Sequence, residues 1–363
     1  MKKLALIICV PIFFLFAIIG GCFYQQSDEG ENVDVSEDHP SGDIAPLEKK
    51  ASVFIAEDGA ASGAGFYIAK EMGYFDDYNI DVEFTQFANS DDMLPALAAG
   101  EVDIAGGVST SSFFNAIAQG IDVKIIADKG HYIDGNSYFS FVIREDLQNE
   151  IKDYTDLKGK RIAVSSRNAV DDYIFQEMLK HAGLTEEDVE FVLMSDFGNM
   201  LAAMGNGSID AALQIEPLIT QGIEQGIHVR LGDATDFAPN AQIAMVLGSP
   251  KFVLEEEDVS LRFMAAYLKG VRDYNDAFMS GEGKAEIIDI MTKHTALKDP
   301  EIWEKVSITG LDPNGRMFIE DIKKQYEMYE MNGATRGEFD FDKSIDTSLT
   351  EKAVDIIGDY EVE

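Results

Sequence analysis

Apolar and polar positions along this chain follow two alternating patterns. Short apolar runs lead into loops of small polar residues, and then into stretches where apolar residues recur every three or four positions, the spacing of one helix face. The pattern therefore predicts strands and helices in alternation. The first predicted strands are Ser52–Ala56, Ile80–Gln86 and Val102–Ala105, and the first predicted helices are Gly65–Met72, Asp91–Ala99 and one that opens near Ser111.

The same order of elements returns further along the chain. Predicted strands are Arg161–Val164, Val189–Leu193 and Ile209–Leu213, and predicted helices are Val170–Ala182 and Met200–Met204. "MLPALAAGEVDIAGG" is echoed by "MLAAMGNGSIDAALQ" at the offset that also separates two copies of "DVEF". Chance is the alternative, because short apolar phrases ending in Gly are common. The shared offset favours two equivalent units, and it is too long for a solenoid array.

Strands that alternate with helices at this spacing predict a parallel sheet with crossover helices in each unit. Sheets of this kind bind ligands beyond the carboxyl ends of their strands, so two facing lobes would form a cleft. Apolar stretches around Val142 and Met245 are the expected crossings between the lobes. Lobe 1 is then 51–142 and 242–363, and lobe 2 is 143–241. Helices expected after the return crossing are Ser260–Met279 and Arg316–Tyr329.

Charge limits the class of partner. The 363 residues include 66 acidic and 29 basic side chains, which gives a net charge of −37 and would repel nucleic acid and anionic membrane surfaces. The charge therefore argues against a polyanion-binding role. The acidic excess is spread along the chain and is typical of a solvated surface.

The N-terminus predicts where the folded part resides. Lys2 and Lys3 precede an apolar run that ends in "IIGGC", which resembles a bacterial lipoprotein signal peptide over residues 1–21 with Cys22 as the lipid-bearing residue. A transmembrane anchor is the alternative. Either interpretation places the folded part outside the cytoplasm. Residues 22–50, rich in acid, Gly and Ser, are expected to be a flexible tether because they carry little apolar surface to bury.

Several longer motifs carry a family resemblance. "GFYIAKEMGYFDDYNIDVEF", "LAAGEVDIAGG", "DLKGKRIAV" and "AALQIEPLITQG" together resemble the solute-binding proteins of bacterial ABC importers, in the branch that binds nitrate, sulfonate, taurine, thiamine pyrimidines or riboflavin. The resemblance implies an α/β type II periplasmic-binding fold, with two lobes joined by two crossing strands. It also implies closure on one small molecule and delivery to a permease and its ATPase. We expect a monomer that uses no cofactor.

The resemblance places ligand contacts in the loops after equivalent strands. The candidate ligand-binding residues are Glu57, Asp58, Ser62, Phe66, Ser109, Thr110, Ser111, Phe113, His131, Tyr132, Asn168, Asp171, Tyr173 and Glu216. Helix capping is the alternative for at least one hydroxyl among 109–111 and for Asp171. A surface loop is the alternative for His131 and Tyr132.

The candidate loops carry more carboxylates than cations, with aromatic rings nearby. Carboxylates accept from amino and ring N–H groups, and aromatic faces stack on planar rings. These residues favour a planar nitrogen heterocycle, such as a pyrimidine vitamin precursor or riboflavin. Sulfonate, nitrate and aromatic acids remain alternatives, because Lys129 and Arg167 are also in these loops.

Enzyme interpretations find little support in the sequence. The five His residues form no HExxH motif, and no Gly-x-Ser-x-Gly is present. Removal of the signal peptide would leave Cys22 as the only cysteine, so neither a catalytic cysteine nor a metal site is expected. A membrane-tethered sensor with the same binding lobes remains an alternative to a transport role.

Overall fold

A computed structural model describes residues 44–87, 92–132 and 138–361, which form two five-stranded sheets. The first sheet has the order β2-β1-β3-β10-β4, with β1 Ala51–Glu57, β2 Ile80–Gln86, β3 Ile104–Val108, β4 Lys124–His131 and β10 Gln242–Gly248. The second has the order β7-β6-β8-β5-β9, with β5 Phe139–Arg144, β6 Arg161–Val164, β7 Glu190–Leu193, β8 Ala211–Ile215 and β9 His228–Asp233.

Helices follow most of the strands. In chain order they are α1 Ala64–Glu71, α2 Tyr74–Asp77, α3 Met93–Ala99, α4 Ser111–Ala118, α5 Val170–Ala182, α6 Phe197–Gly205, α7 Leu218–Glu224, α8 Pro250–Leu254, α9 Glu257–Asn275, α10 Lys284–His294, α11 Pro300–Trp303, α12 Ile319–Met331, α13 Phe341–Ser344 and α14 Ser348–Ile357. The two long helices predicted after the return crossing correspond to α9, which continues into a π turn, and to α12.

Two strands carry the chain between the sheets. β5 enters the second sheet directly after β4 of the first, and β10 returns to the first sheet after β9. All of β5 pairs within the second sheet, so lobe 2 spans 138–241 and begins before the predicted boundary at residue 142. Both run antiparallel to the strands on either side of them, whereas β1, β2 and β3 are parallel, as are β6, β7 and β8. The predicted α/β architecture of two lobes joined by two crossing strands is confirmed.

The internal repeat extends to strand register. Ile55–Ala56 pair with Ile104–Ala105 in the first sheet, and Ile162–Ala163 pair with Ala211–Ala212 in the second. Each residue in the second set lies at the sequence offset of the repeated phrases from its counterpart in the first. The two lobes therefore share one strand arrangement, and their strand-end loops occupy equivalent places.

The repeated phrase has a structural cause in its aspartates. Asp103 Oδ2 accepts from Phe54 N at 2.9 Å, and Asp210 Oδ2 accepts from Arg161 N at 3.0 Å. Each carboxylate thus accepts a hydrogen bond from a backbone N–H of the neighbouring parallel strand. The contact lies just before the first backbone pairing between the two strands. This explains why β3 and β8 each begin two residues later than the predicted strands at Val102 and Ile209.

The glycine of the same phrase ends a helix in both lobes. Gly100 has φ 71° and Gly207 has φ 76°, just after α3 and α6 respectively. The left-handed region favours glycine because a Cβ there clashes with the backbone. The tight turn that follows lets each helix lead directly into the next strand.

Each sheet packs helices on both faces. Ile55 belongs to one hydrophobic cluster of the first sheet and its neighbour Ala56 to another, as alternation along a strand requires. Ile162 and Ala163 are divided in the same way between two clusters of the second sheet. Both faces of the strands are thereby covered, and the strand ends are left to form the site.

The predicted signal peptide, Cys22 and the tether as far as residue 43 lie outside the described residues. Across the three described ranges, no helix combines the length and the apolar content that a membrane span requires.

Candidate functional site

A cavity of about 450 Å³ lies between the two lobes, at the carboxyl ends of β1, β3, β6 and β8. Its size falls within the range of roughly 300–1,000 Å³ that is usual for small-molecule sites. Four of the predicted ligand-binding residues lie on its wall: Asp58, Ser62, Thr110 and Asp171. We refer to this cavity as the cleft.

Lys129 supplies the polar centre of the lobe 1 wall. The residue is 3% exposed, and its Nζ lies 3.1 Å from Glu57 Oε1 and donates to Ser62 Oγ at 3.0 Å. Tyr67 OH donates to the other oxygen of Glu57 at 3.0 Å. The charge of the ammonium is therefore balanced by a buried carboxylate directly beneath it.

Burial has the largest effect on Glu57 and raises the pKa of its carboxyl group, which the nearby Lys129 ammonium opposes. Space for Lys129 depends on Gly106, since a Cβ at that position would lie 2.7 Å from Lys129 Cε. The equivalent position in lobe 2 is Leu213, which is buried in the core. The two copies of the repeat therefore differ at this position, where the glycine of lobe 1 leaves space for the Lys129 side chain.

The lobe 2 wall is mainly apolar and aromatic. Tyr138 and Phe139 at the start of β5, Phe197 at the start of α6 and Ile215 at the end of β8 line the cleft. The rings of Tyr138 and Phe139 are perpendicular, with centroids 5.4 Å apart. Burial raises the pKa of the Tyr138 hydroxyl, with added effects from Asp58 and Glu216. This wall therefore offers ring faces and a neutral phenol.

Asp171 faces the cleft but is occupied by its own turn. Its carboxylate accepts from Ser165 Oγ at 2.5 Å, Ser166 N at 2.9 Å and Ser166 Oγ at 2.6 Å. The side chain is 3% exposed, and these bonds offset the cost of burying its charge. Asp171 thus holds two serine side chains at the rim, and its contacts are not those of a helix cap, since no side chain caps the start of α5.

The predicted residues 109–111 and Asn168 form a contact between the lobes at one end of the cleft. Ser111 N donates to Asn168 O at 2.8 Å, and Val170 N donates to Ser109 O at 3.1 Å. Thr110 caps α4, since its side chain accepts from Phe113 N. Ser109 Oγ is buried and has no hydrogen-bond partner among the described residues. The N-terminal ends of α4 and α5 are therefore joined by backbone hydrogen bonds.

Five other predicted residues lie in surroundings different from the cleft wall. Phe66 and Phe113 are buried in the hydrophobic clusters of lobe 1, and Tyr132 belongs to a cluster of lobe 2. Tyr173 OH donates to Asp321 Oδ1 at 3.1 Å, on α12. His131 pairs with Asp128 at 3.0 Å beside the crossing strand β10.

His131 is held by the groups around it. Burial alone would lower the pKa of its imidazole, but the Asp128 carboxylate and the charge of Asp312 outweigh that effect and raise the pKa. The ring also packs edge-on against Phe318, with centroids 5.0 Å apart. These contacts give His131 a structural position at the junction of the lobes.

Arg167, the residue that kept an anionic ligand open as an alternative, is engaged on lobe 2. Its guanidinium pairs with Glu186 and with Asp172, and it lies 3.6 Å from the centroid of the Phe191 ring. Among the described residues that line the cleft, Lys129 is the only basic side chain, and Glu57 neutralises it. The cleft therefore presents no unpaired cation within the described ranges.

Glu216 lies on a side chamber of the cleft, and its carboxylate is paired. Arg230 Nη2 is 2.8 Å from Glu216 Oε1, and Thr220 N donates to Oε2 at 3.0 Å. The residue is 4% exposed. Its position after β8 agrees with the predicted loop, while its partner Arg230 on β9 carries no signal in the motifs.

Part of the wall consists of residues that were not predicted. Phe197 was available in the sequence as an aromatic residue after the predicted strand Val189–Leu193, and Tyr138 and Phe139 as aromatic residues of the predicted crossing. Thr309 comes from an irregular segment of lobe 1 far along the chain, and no pattern there predicts a site. Long-range folding alone brings it to the cleft.

A larger groove of about 1220 Å³ lies between α5 and α12. Charged side chains such as Glu177, Lys180, Glu320 and Lys324 line it. We place the ligand in the smaller cleft because the strand ends of both sheets converge there, which is where open α/β sheets bind ligands.

Comparison with known proteins agrees with this architecture. The profile of the family described as NMT1/THI5 like matches residues 61–276. A Brucella abortus protein, provisionally named as a binding protein, is 26% identical over 212 residues, which cover 58% of this chain and 62% of the relative. The 4-amino-5-hydroxymethyl-2-methylpyrimidine phosphate synthase of Candida albicans is 25% identical over 221 residues, with 57% and 62% covered. The match thus spans less than two thirds of either relative.

Solved structures show the same fold. The periplasmic aliphatic sulphonate binding protein of Escherichia coli has a TM-score of 0.67 at 17% identity, with 82% of this chain and 92% of that chain covered. The ligand-binding component of an ABC-type import system from Staphylococcus aureus, solved with zinc bound, has a TM-score of 0.64 at 18% identity, with 84% and 99% covered. The likeness spans both lobes.

Proposed function

Because the chain belongs to the NMT1/THI5-like family, we propose that it is the extracytoplasmic solute-binding subunit of an ABC importer. The observation that carries the proposal is the cleft of about 450 Å³ between two lobes joined by two crossing strands. Such lobes close on a solute by hinge motion. A permease and its ATPase would receive the loaded form, and a lipid on Cys22 would hold the protein at the membrane.

For the ligand, we propose a planar nitrogen heterocycle of the pyrimidine or flavin kind. The lobe 2 wall provides the aromatic side chains Tyr138, Phe139 and Phe197, on whose faces a flat ring can stack. Asp58 supplies a carboxylate that accepts amino or ring N–H groups, and Ser62 and Thr110 supply hydroxyls. The pairing of Lys129 with Glu57 argues against a sulfonate or nitrate, which needs donors free to pair with its charge.

The name of the Candida relative suggests an enzyme as the competing function. The cleft wall carries hydroxyl, ammonium and carboxylate groups, but its described residues include no His and no Cys, so they contain no Ser–His or Cys–His pair that would activate a nucleophile. We therefore favour binding over catalysis.

A thermal-shift screen of the mature domain tests both proposals. We expect aminopyrimidines or riboflavin to raise the melting temperature, and taurine, alkyl sulfonates, nitrate and aromatic acids to leave it unchanged. A rise with sulfonates or nitrate alone would show that the ligand class is wrong. Chromatography of the recovered ligand would show consumption if the protein were an enzyme.

Asp58→Asn sharpens the screen. Asn keeps an oxygen that can accept from Ala60 N, as Asp58 Oδ1 does at 3.0 Å, but it removes the charge. Loss of a charge-assisted bond worth about 1.5–3 kcal/mol should weaken heterocycle binding at least about tenfold. Asp77→Asn, at an exposed position on α2, is the matched control and should bind like wild type. Unchanged affinity in Asp58→Asn would remove Asp58 from the site.

A further inference from the structure

A side chamber of about 160 Å³ adjoins the cleft. Ala60, Tyr138, Ile215 and Thr309 line both spaces, so the two are adjacent at these residues. The remaining wall is mostly apolar and includes Pro217, Leu297, Trp303 and Val306. The chamber is smaller than the roughly 300 Å³ at the low end for whole ligands, so it is suited to a substituent.

The outer wall of the chamber joins the two lobes. Ser307 N donates to Glu216 Oε1 at 3.4 Å, and Arg230 Nη2 donates to Ser307 Oγ at 3.3 Å. Lys305 also pairs with Glu224 at 2.6 Å. The Glu216 carboxylate is committed to this wall, so the chamber offers a ligand no unpaired charge among its described residues.

Thr309 provides the polar group of the chamber. The residue is 2% exposed, and its Oγ1 has no hydrogen-bond partner among the described residues. The neighbouring backbone is fixed, since His131 N donates to Gly310 O at 2.9 Å and Gly310 N donates to His131 O at 3.0 Å. A buried hydroxyl without a partner is costly, so a group that binds it on the ligand recovers that cost.

We propose that the ligand carries a short, uncharged substituent that enters the side chamber and hydrogen-bonds Thr309 Oγ1. The proposal rests on the proposed function, because the ring of the ligand would occupy the adjoining cleft. The apolar wall accepts the carbon atoms of the substituent, and Thr309 selects a hydroxyl or carbonyl at its end. Ligands with a charged group at that position are excluded by the desolvation cost.

Trp303 reports directly on the chamber. It is the single tryptophan of the chain, is 3% exposed and lies on the chamber wall. The experiment compares 4-aminopyrimidine with 5-(2-hydroxyethyl)-4-aminopyrimidine by calorimetry and by tryptophan emission. We expect both to bind, but only the hydroxyethyl compound to change the emission of Trp303 and to bind more tightly. Equal affinity together with unchanged emission would overturn the proposal.

Two variants separate the chamber from the cleft. Thr309→Val keeps the shape and removes the hydroxyl, so it should weaken the hydroxyethyl compound about fivefold and leave 4-aminopyrimidine unaffected. Because the lost hydroxyl has no partner, the ligand-free variant should melt at or above the wild-type temperature. Ala61→Leu, on the chamber wall, should abolish the advantage of the hydroxyethyl compound. Equal affinity losses for both compounds would contradict a chamber-specific contact.

A probe without a ring keeps the two proposals distinguishable. If neither aminopyrimidine binds, the proposed ligand class is wrong, and 1-butanol then tests the chamber alone. A change of Trp303 emission with butanol in wild type, absent in Ala61→Leu and reduced in Thr309→Val, supports the chamber. No change in wild type would overturn it.

Discussion

Lys129 is the side chain on which the polarity of the cleft depends. It reaches the cleft because Gly106 leaves room for it, and its ammonium group is paired with Glu57, 3.1 Å away. Buried ion pairs contribute little net stability, but removal of one member leaves the other charge buried without compensation. The pair is thus a means of placing a donor in the cleft without giving the cleft a net charge.

We predict that Lys129→Met lowers the free energy of unfolding by about 3–5 kcal/mol near neutral pH. The double variant Glu57→Gln, Lys129→Met should lose less than the single variant, because no unpaired charge remains. Urea denaturation of wild type, both single variants and the double variant measures the coupling. Strictly additive losses would show that the two side chains do not interact.

The free energy of unfolding of these variants should depend on pH in a predictable direction. Burial raises the pKa of the folded Glu57 carboxyl above its unfolded value, so its contribution to stability is complete below the unfolded pKa and is lost as pH rises through the folded pKa. Without the opposing ammonium, that folded pKa rises further in Lys129→Met. The deficit of this variant should therefore shrink as pH falls toward about 4.3.

Gln242 begins the return strand β10 and ties several elements together. Its Nε2 donates to Asp128 Oδ1 at 2.5 Å and to Gly130 O at 3.0 Å, and its Oε1 accepts from Phe318 N at 2.9 Å. Its backbone N donates to Asp321 Oδ2 at 2.9 Å, on α12. The crossing from lobe 2 is thus fixed to the end of β4 and to α12 by a buried polar network.

We predict that Gln242→Leu lowers the free energy of unfolding by at least about 3 kcal/mol. The substitution leaves the buried Asp128 carboxylate and the Phe318 N–H short of partners, and each unsatisfied group costs about 1–3 kcal/mol. Gln225→Leu, at an exposed position after α7, is the control and should change stability by less than about 0.5 kcal/mol. Equal effects in the two variants, measured by urea denaturation, would show that the network adds nothing.

Closure is a property of the whole molecule. The lobes contact each other at one end of the cleft through the backbone of 109–111 and 168–170, and at the other end through Ser307 and Glu216. Each of these hydrogen bonds is worth only about 1 kcal/mol net. We infer that ligand supplies the rest of the free energy that holds the lobes together.

Small-angle scattering should therefore show a contraction when ligand is added. An aminopyrimidine at about 100 times its dissociation constant should also add about 2.7 kcal/mol of stability. Asp58→Asn is the control at a ligand concentration near the wild-type dissociation constant, where it should contract much less than wild type. A profile that is unchanged under saturating ligand would contradict the hinge mechanism.

Membrane attachment is predicted from residues beyond the described ranges. Cys22→Ser should release the protein from the membrane fraction, because the lipid is attached through the cysteine sulfur. Fractionation followed by immunoblotting measures the distribution. Membrane retention of a Ser variant that is still cleaved after residue 21 would show that a lipid does not anchor the protein.

The two-lobed architecture can be predicted from local patterns in the sequence. The offset between the repeated phrases predicts equivalent lobes, and that offset reappears in the register of β1 with β3 and of β6 with β8. These features follow from local rules, namely the period of apolar residues and the glycine at a helix end. They require no knowledge of which distant segments meet.

The side chains that remain available to a ligand cannot be read from the sequence, because they depend on packing between distant segments. Asp171 is taken up by Ser165 and Ser166, Glu216 by Arg230, and Phe66 lies in the core, although all three were reasonable candidates from their positions in the chain. Thr309 reaches the cleft from a segment with no motif. The physical reason is that a polar group is free or occupied according to the partners that folding brings beside it, and those partners are set by packing between segments far apart in sequence.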